Sequence, residues 1–204
     1  MTPAGRIVLA SGNPGKLREF ERLLAGTGVE LIPQSRLGVE EAVETGSSFA
    51  ENAVIKARHA AARTGHPAVA DDSGLEVDAL GGAPGVHSAR YAGNGASDEQ
   101  NVEKLLAALS GVSPEERGAR FVCTIAFVDA ADAPPVLCQG IWHGRIIDRP
   151  RGANGFGYDP VFFVPECDCT AAELDPDEKN RLSHRGQALR AFLEEYSGSR
   201  EPVG

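Results

Sequence analysis

The chain has no run near the roughly 20 consecutive apolar residues that crossing a bilayer requires, so neither a helical span nor a membrane partner is expected. Residues 1–6 lack the charged, apolar and small-residue regions of a secretory signal, which makes the cytoplasm the expected location. Basic blocks are missing as well. Lys and Arg total 20 against 29 acids, a net charge of −9, whereas a protein gripping duplex nucleic acid needs a basic footprint. Nucleic acid is therefore not expected as a partner. Any phosphate compound bound here must be small, met by a few placed cations and a metal. Cysteine is sparse: Cys123, Cys138, Cys167 and Cys169 include one C-x-C spacing but no second pair at zinc-site spacing, and reduced thiols are the simpler reading. No G-x-G-x-x-G follows the first apolar segment, which disfavours a dinucleotide-binding dehydrogenase, and no Walker A pattern occurs. Internal repeats and low-complexity segments are also absent.

What is present is an ordinary globular composition, 42% hydrophobic and 24% charged, with an excess of glycine, 24 of 204 residues against a typical ~7%. Arg6 to Ser11 reads as a short buried strand running into Gly12-Asn13-Pro14-Gly15. A helix follows with Leu17, Phe20, Leu23 and Leu24 in helical spacing, Asn13 as its cap and Pro14 at its first position. Val29 to Ile32 is the next strand. Ser48-Phe49-Ala50-Glu51 has the form of a capping box and starts a helix to about Arg63. Pro67 to Ala70 reads as a brief strand ending at Asp71-Asp72-Ser73-Gly74, and Asp98 to Leu109 as a helix. Arg120 to Val128 and Val136 to Ile147 read as an antiparallel hairpin, Val161 to Val164 as a strand, and Ser183 to Tyr196 as a closing amphipathic helix. Strands and helices mix without a linker. The expectation is one α/β domain over residues 1–196, a mixed central sheet in two lobes with a substrate cleft between them, and a frayed tail over 197–204.

Polar residues gather at the ends of these elements in several places. Ser11, Gly12, Asn13, Pro14, Gly15 and Lys16 form a strand-loop-helix junction whose N–H groups suit an anion. Lys16 opposes the helix dipole there, which makes sense with a phosphate between them; an exposed lysine beside an ordinary capped turn is the alternative. Asp71 and Asp72 sit where a strand is expected to end, with hard oxygens suited to Mg²⁺. Adjacent strand residues point to opposite faces, so one aspartate should face the cleft directly, unless the pair merely closes a turn. Asn52 and Lys56, four apart, share a helix face, within reach of a triphosphate or simply solvated. Phe156, Gly157, Tyr158 and Asp159 pair an aromatic that can stack on a base with an acid that can read a ring edge, though Phe156 serves equally well as core. Lys179 reads as a surface lysine when taken alone, and His184 and Arg185 place cations in the first turn of the last helix.

The order of these blocks is more specific than any one of them. Ser11-Gly12-Asn13-x-x-Lys16, Glu44-Thr45-Gly46, Phe49-x-Glu51-Asn52-Ala53-x-x-Lys56-Ala57, Ala70-Asp71-Asp72-Ser73-Gly74-Leu75, Ser88-Ala89-Arg90-Tyr91, Gly155-Phe156-Gly157-Tyr158-Asp159-Pro160 and Ser183-His184-Arg185-Gly186 together resemble the inosine-triphosphate pyrophosphatase family. The likeness runs from about Ile7 to Tyr196 and is nearest to the bacterial branch acting on dITP and XTP. It implies hydrolysis of non-standard purine nucleoside triphosphates (ITP, dITP, XTP) to the monophosphate and pyrophosphate, with Mg²⁺ as cofactor, in a homodimer. By resemblance, Asp72 is the general base and a metal ligand, and Asp71 a supporting acid. Glu44 falls near the second metal carboxylate, within a position, because relatives can carry an acid where Val43 stands. Ser11 to Lys16 match the phosphate loop, and Ser73 matches a substrate-binding serine. Phe156 to Asp159, Lys179, His184 and Arg185 match the residues that hold the purine and remaining phosphates. Lys56 and Asn52 fall in a matched block, and Lys16, Lys56 and Lys179 would stabilise a charged transition state. A pyrophosphatase for modified pyrimidine nucleotides and a non-catalytic nucleotide sensor are the competing readings.

Overall fold

The computed structural model describes residues 5–198. Strand β1 (Arg6–Leu9) is built from Ile7, Val8 and Leu9, all fully buried, and is flanked in parallel by β2 (Glu30–Pro33) and β3 (Ala68–Val77). Asn13 caps α1 (Pro14–Leu24) as expected, its Oδ1 accepting from the N–H groups of Gly15 and Lys16. Ser48 caps α2 (Phe49–Thr64) through the Glu51 N–H, but the expected reciprocal bond is displaced: the Glu51 carboxylate accepts from Ser47 instead. A complete capping box stands at α3 (Asp98–Ala108), between Ser97 and Gln100. Strands β4 (Gly118–Val128) and β5 (Val136–Ile146) follow, then the short β6 (Phe162–Val164) and β7 (Cys169–Thr170). The chain closes with α4 (Pro176–Leu182) and α5 (His184–Gly198).

The sheet has seven strands in the order β2-β1-β3-β4-β5-β6-β7. The first three are parallel, whereas β5-β6 and β6-β7 are antiparallel, so the expected mixed α/β sheet is present. Residues 129–135 join neighbours β4 and β5, far too short a link for the dozen or more residues of a parallel crossover, as the expected hairpin requires.

The chain divides into two compact units, the first comprising residues up to Asp72, Cys123–Gly140 and residues from Gly186 onward, the second Ser73–Val122 and Ile141–Arg185. In the first unit the sheet carries a core on each face. Ile7, Leu9, Val69 and Ile125 pack with Phe20 and Leu24 of α1 and Leu189 and Phe192 of α5. Val8, Ala10, Ala68 and Ala70 pack on the other side against Ala53, Ala57, Ala60 and Ala61 of α2. The alternation along β1 sorts these side chains between the layers. In the second unit, Leu75, Val77, Leu105, Leu109, Phe121, Trp142 and Phe162 belong to one core. All four cysteines are free thiols, Cys123 and Cys138 buried.

Several elements depart from expectation. β3 does not end at Asp71 but continues to Val77, carrying Asp71, Asp72, Ser73 and Gly74 inside the strand. Aspartate, serine and glycine are poor strand formers, and only tertiary partners distant in sequence hold them there. Helix α4 and strand β7 have no counterpart among the expected elements; both are too short for a periodic signal. Ser197 and Gly198 belong to α5 rather than to the expected tail, and the tail's remaining residues, 199–204, lie outside the described ones.

Ala57 is fully buried in the layer between α2 and the sheet, with Ala53, Ala60 and Ala61 beside it. Ala57→Leu should therefore cost about 1–3 kcal/mol of stability in urea unfolding; an unchanged midpoint would show the layer to be loose.

Candidate active site

The alternation that sorts the core also sorts the acids. On β3, Val69 points to the α1/α5 layer, and Ala68 and Ala70 point to the α2 layer. Asp71 must then face α1 and Asp72 must face α2. Lys16 Nζ of α1 lies 3.0 Å from Asp71 Oδ2. Lys56 Nζ of α2 lies 2.8 Å from Asp72 Oδ1 and 2.8 Å from Glu44 Oε1. Asn52, one helical turn before Lys56, donates Nδ2 to Asp72 Oδ2 at 3.2 Å. Its amide orientation is set from the other end, because Oδ1 accepts from the Gly46 N–H at 2.8 Å. A Cβ on Gly46 would lie 2.7 Å from that same Oδ1, so the residue must be glycine for this contact to form. Glu44, Asn52, Lys56 and Asp72 thus form one connected group, and Lys16 with Asp71 a second on the opposite face.

Both aspartates are buried, Asp71 at 1% and Asp72 at 6% exposure, so neither is an open turn acid. Burial pushes the Asp72 carboxyl above its ordinary value; Lys56 and Lys16 pull it back without fully offsetting that cost, and Glu44 adds to the rise. Burial also works against the Lys56 ammonium, but the fields of Asp72, Asp71 and Glu44 outweigh it and its pKa is raised. The lysine is therefore firmly charged, while Asp72 accepts a proton more readily than an ordinary aspartate.

The Ser11–Lys16 junction is occupied differently from expectation. Pro14 has no N–H, those of Gly15 and Lys16 are taken by Asn13 Oδ1, and that of Leu17 by the Asn13 carbonyl. Ser11 Oγ accepts from the Asn13 N–H at 3.3 Å. The cationic side chain of Lys16, rather than free helix N–H groups, is the attraction this element has for an anion. Glu41, which the acidic stretch 40–44 did not single out, rests its carboxylate where a Cβ on Gly12 would collide with it.

In the second unit, Lys179 of α4 and Asp159 form a buried ion pair at 2.7 Å. Asp159 Oδ2 also accepts from the Phe156 N–H at 2.9 Å, so this acid holds its own loop rather than presenting a free edge to a base. Gly155 and Gly157, on either side of Phe156, adopt φ of +78° and +61°, the left-handed region open to glycine. Lys179 Nζ and Arg185 Cζ lie 5.1 and 5.7 Å from the Phe156 ring centre. Arg185, 2% exposed, donates from Nη2 to Ser73 Oγ at 2.8 Å. His184 stacks on Phe121, with ring centres 4.7 Å apart and planes within 10°, and beside Trp142. Tyr158 is buried and donates its hydroxyl to the Ser88 carbonyl, so it braces the loop, and burial pushes its phenol well up. Arg185 thus links Ser73 to Phe156 and Lys179 within the second unit, and Lys179 is buried where a surface lysine was the reading taken alone.

Removing the cation between two carboxylates tests the first group. Lys56→Met should cost about 3 kcal/mol in urea unfolding, and Asp72→Asn in the same background should recover much of it. Equal stability of Lys56→Met and the parent would mean that the ion pairs carry no weight.

Comparison with known proteins agrees with the motif order. The Ham1 family profile matches residues 7–195. A dITP/XTP pyrophosphatase of Methylococcus capsulatus is 61% identical over 184 residues, 90% of this chain and 92% of that protein. One from Thioalkalivibrio sulfidiphilus is 58% identical, over 95% of this chain and 99% of the relative. Among solved structures, a HAM1 protein from Coxiella burnetii superposes with a TM-score of 0.88 at 51% identity, covering 95% of this chain and 99% of that one. The resemblance drawn from the motifs is borne out, and with nearly the whole length matched the chain belongs to the Ham1 family.

Proposed function

We propose that this protein hydrolyses non-standard purine nucleoside triphosphates, ITP, dITP and XTP, at the bond between the α- and β-phosphates, releasing pyrophosphate. The observation that carries this reading is Asp72: a buried carboxylate on a strand, oriented by Asn52 and Lys56, and shifted toward easier protonation. That is what a general base for water requires. Relatives of this length and identity named dITP/XTP pyrophosphatase narrow the substrate.

The roles follow from chemistry. Asp72 takes the proton from the attacking water while the leaving pyrophosphate departs with the bridging oxygen. Lys16 and Lys56 offset the negative charge that accumulates on the phosphates. Among the described residues no three His, Cys, Asp or Glu side chains are grouped as a metal cage. Asp72 and Glu44 nevertheless converge on a single point, now held by the Lys56 ammonium, and both present hard oxygens. A pair of carboxylates completed by substrate phosphates and water is a donor set that suits Mg²⁺, so these two residues would hold it. When bound, Mg²⁺ neutralises phosphate charge and makes water more acidic. For the base, Phe156 provides a flat surface, while Arg185 and His184 provide N–H donors. The 6-oxo group of hypoxanthine or xanthine accepts such donors, whereas the 6-amino group of adenine leaves them unpaired. A cytoplasmic homodimer completes the proposal and rests on the family likeness alone.

A substrate panel with product identification tests this reading. ITP, dITP or XTP with Mg²⁺ should yield pyrophosphate, and chelation should stop turnover until Mg²⁺ is restored. Orthophosphate as the only phosphate product overturns the assignment; faster turnover of 5-methyl-UTP points to pyrimidine substrates, and ITP binding without turnover to a sensor. Asp72→Asn should lower kcat by at least about 10²-fold while the fold is retained. Near-normal activity in that variant would show another group to be the base.

A further inference from the structure

The loop that carries Phe156 is held by an acid from another element, Asp98 of α3. Its backbone is intrinsically loose, since Gly155 and Gly157 flank the aromatic in left-handed conformations that contribute no stiffness of their own. Contacts from outside must fix the ring. Two successive N–H groups of this loop are both taken by carboxylates: Phe156 N–H by Asp159, and Gly157 N–H by Asp98 Oδ2 at 2.7 Å. The first is local and is locked by the buried pair with Lys179. The second comes from the first turn of α3, 59 residues earlier in the chain, and is exposed.

Asp98 is not needed where it stands for the sake of the helix. The start of α3 is already capped by the reciprocal bonds of Ser97 and Gln100, and Glu99 places a second negative charge in the same turn. Among the described residues its carboxylate makes no ion pair within 4.0 Å. What it holds is the amide immediately after Phe156, through a short charge-assisted bond. We propose that Asp98 is a positioning residue for the substrate base: by fixing the Gly157 amide, it sets the Phe156 ring at the angle on which a purine stacks. This rests on the reading of Phe156 as the base platform. Asp98 touches neither the base nor the reacting phosphates, so its effect belongs in affinity and not in the chemical step.

The test compares Asp98→Ala, which removes the acceptor, with Asp98→Asn, which keeps an oxygen in the same place and loses the charge. With ITP or XTP, Asp98→Ala should raise KM about five- to tenfold with kcat changed less than about twofold, and Asp98→Asn should return KM to within about twofold of the parent. Amide hydrogen exchange across residues 155–158 should quicken in Asp98→Ala and not in Asp98→Asn, and the capped helix should leave the melting temperature of both near that of the parent. An unchanged KM in Asp98→Ala, equal impairment of the two variants, or a loss confined to kcat overturns the proposal. Failure of the parent to turn over any purine triphosphate counts against the proposed function instead. Exchange at Gly157 then judges Asp98 on its own, and unaltered exchange in Asp98→Ala overturns the clamp.

Discussion

Everything in the first unit depends on burying adjacent acids within one strand. Buried carboxylates call for nearby cations, and because the pleat turns Asp71 and Asp72 to opposite faces, each makes its direct ion pair with a different lysine. The chain answers with a lysine from each covering layer, Lys16 from α1 and Lys56 from α2. The helices that close the two faces of the sheet are therefore also the elements that keep its acids charged. Packing and electrostatics thus draw on the same two helices, through different faces of each.

The two acids are not equivalent. Asp71 has one oxygen bound to Lys16 and a cysteine sulphur, Cys123 Sγ, 3.9 Å from that same oxygen. Asp72 sits in the richer network, with Asn52 fixed by Gly46 and Lys56 shared with Glu44. The second unit repeats the theme in a different form. There a buried lysine, Lys179, holds Asp159, and Asp159 holds the loop bearing Phe156. In both units an ion pair fixes the geometry of a neighbouring group as well as balancing charge.

Much of this was legible in the sequence where the signal is local. Asn13 before Pro14, Ser48 before Glu51, and the i, i+4 pair Asn52 and Lys56 all lie where their spacing placed them. Long-range neutralisation was not legible. Ala70-Asp71-Asp72-Ser73-Gly74 reads as the end of a strand because nothing nearby reveals lysines 16 and 56 to be its partners. The free N–H groups expected at the start of α1 were absent for the opposite reason: Asn13 caps so well that it consumes them. Asp98 could not be singled out at all, because its partner lies 59 residues away and any acid is welcome at a helix start. Motif order carried the family, and geometry was needed to divide labour within it.

The alanine stripe of α2 has a consequence for how this protein tolerates change. With Ala53, Ala57, Ala60 and Ala61 against the sheet, the helix axis rides close enough for short contacts from Asn52 and Lys56 to reach Asp72. The stripe works as a spacer whose thickness is one methyl group. A bulkier side chain there would push α2 away from the sheet and lengthen the contacts that Asn52 and Lys56 make with Asp72. Variation along that buried stripe is thus filtered by the reach of two side chains on the neighbouring helix face, and positions that touch no substrate inherit the tolerances of those that would.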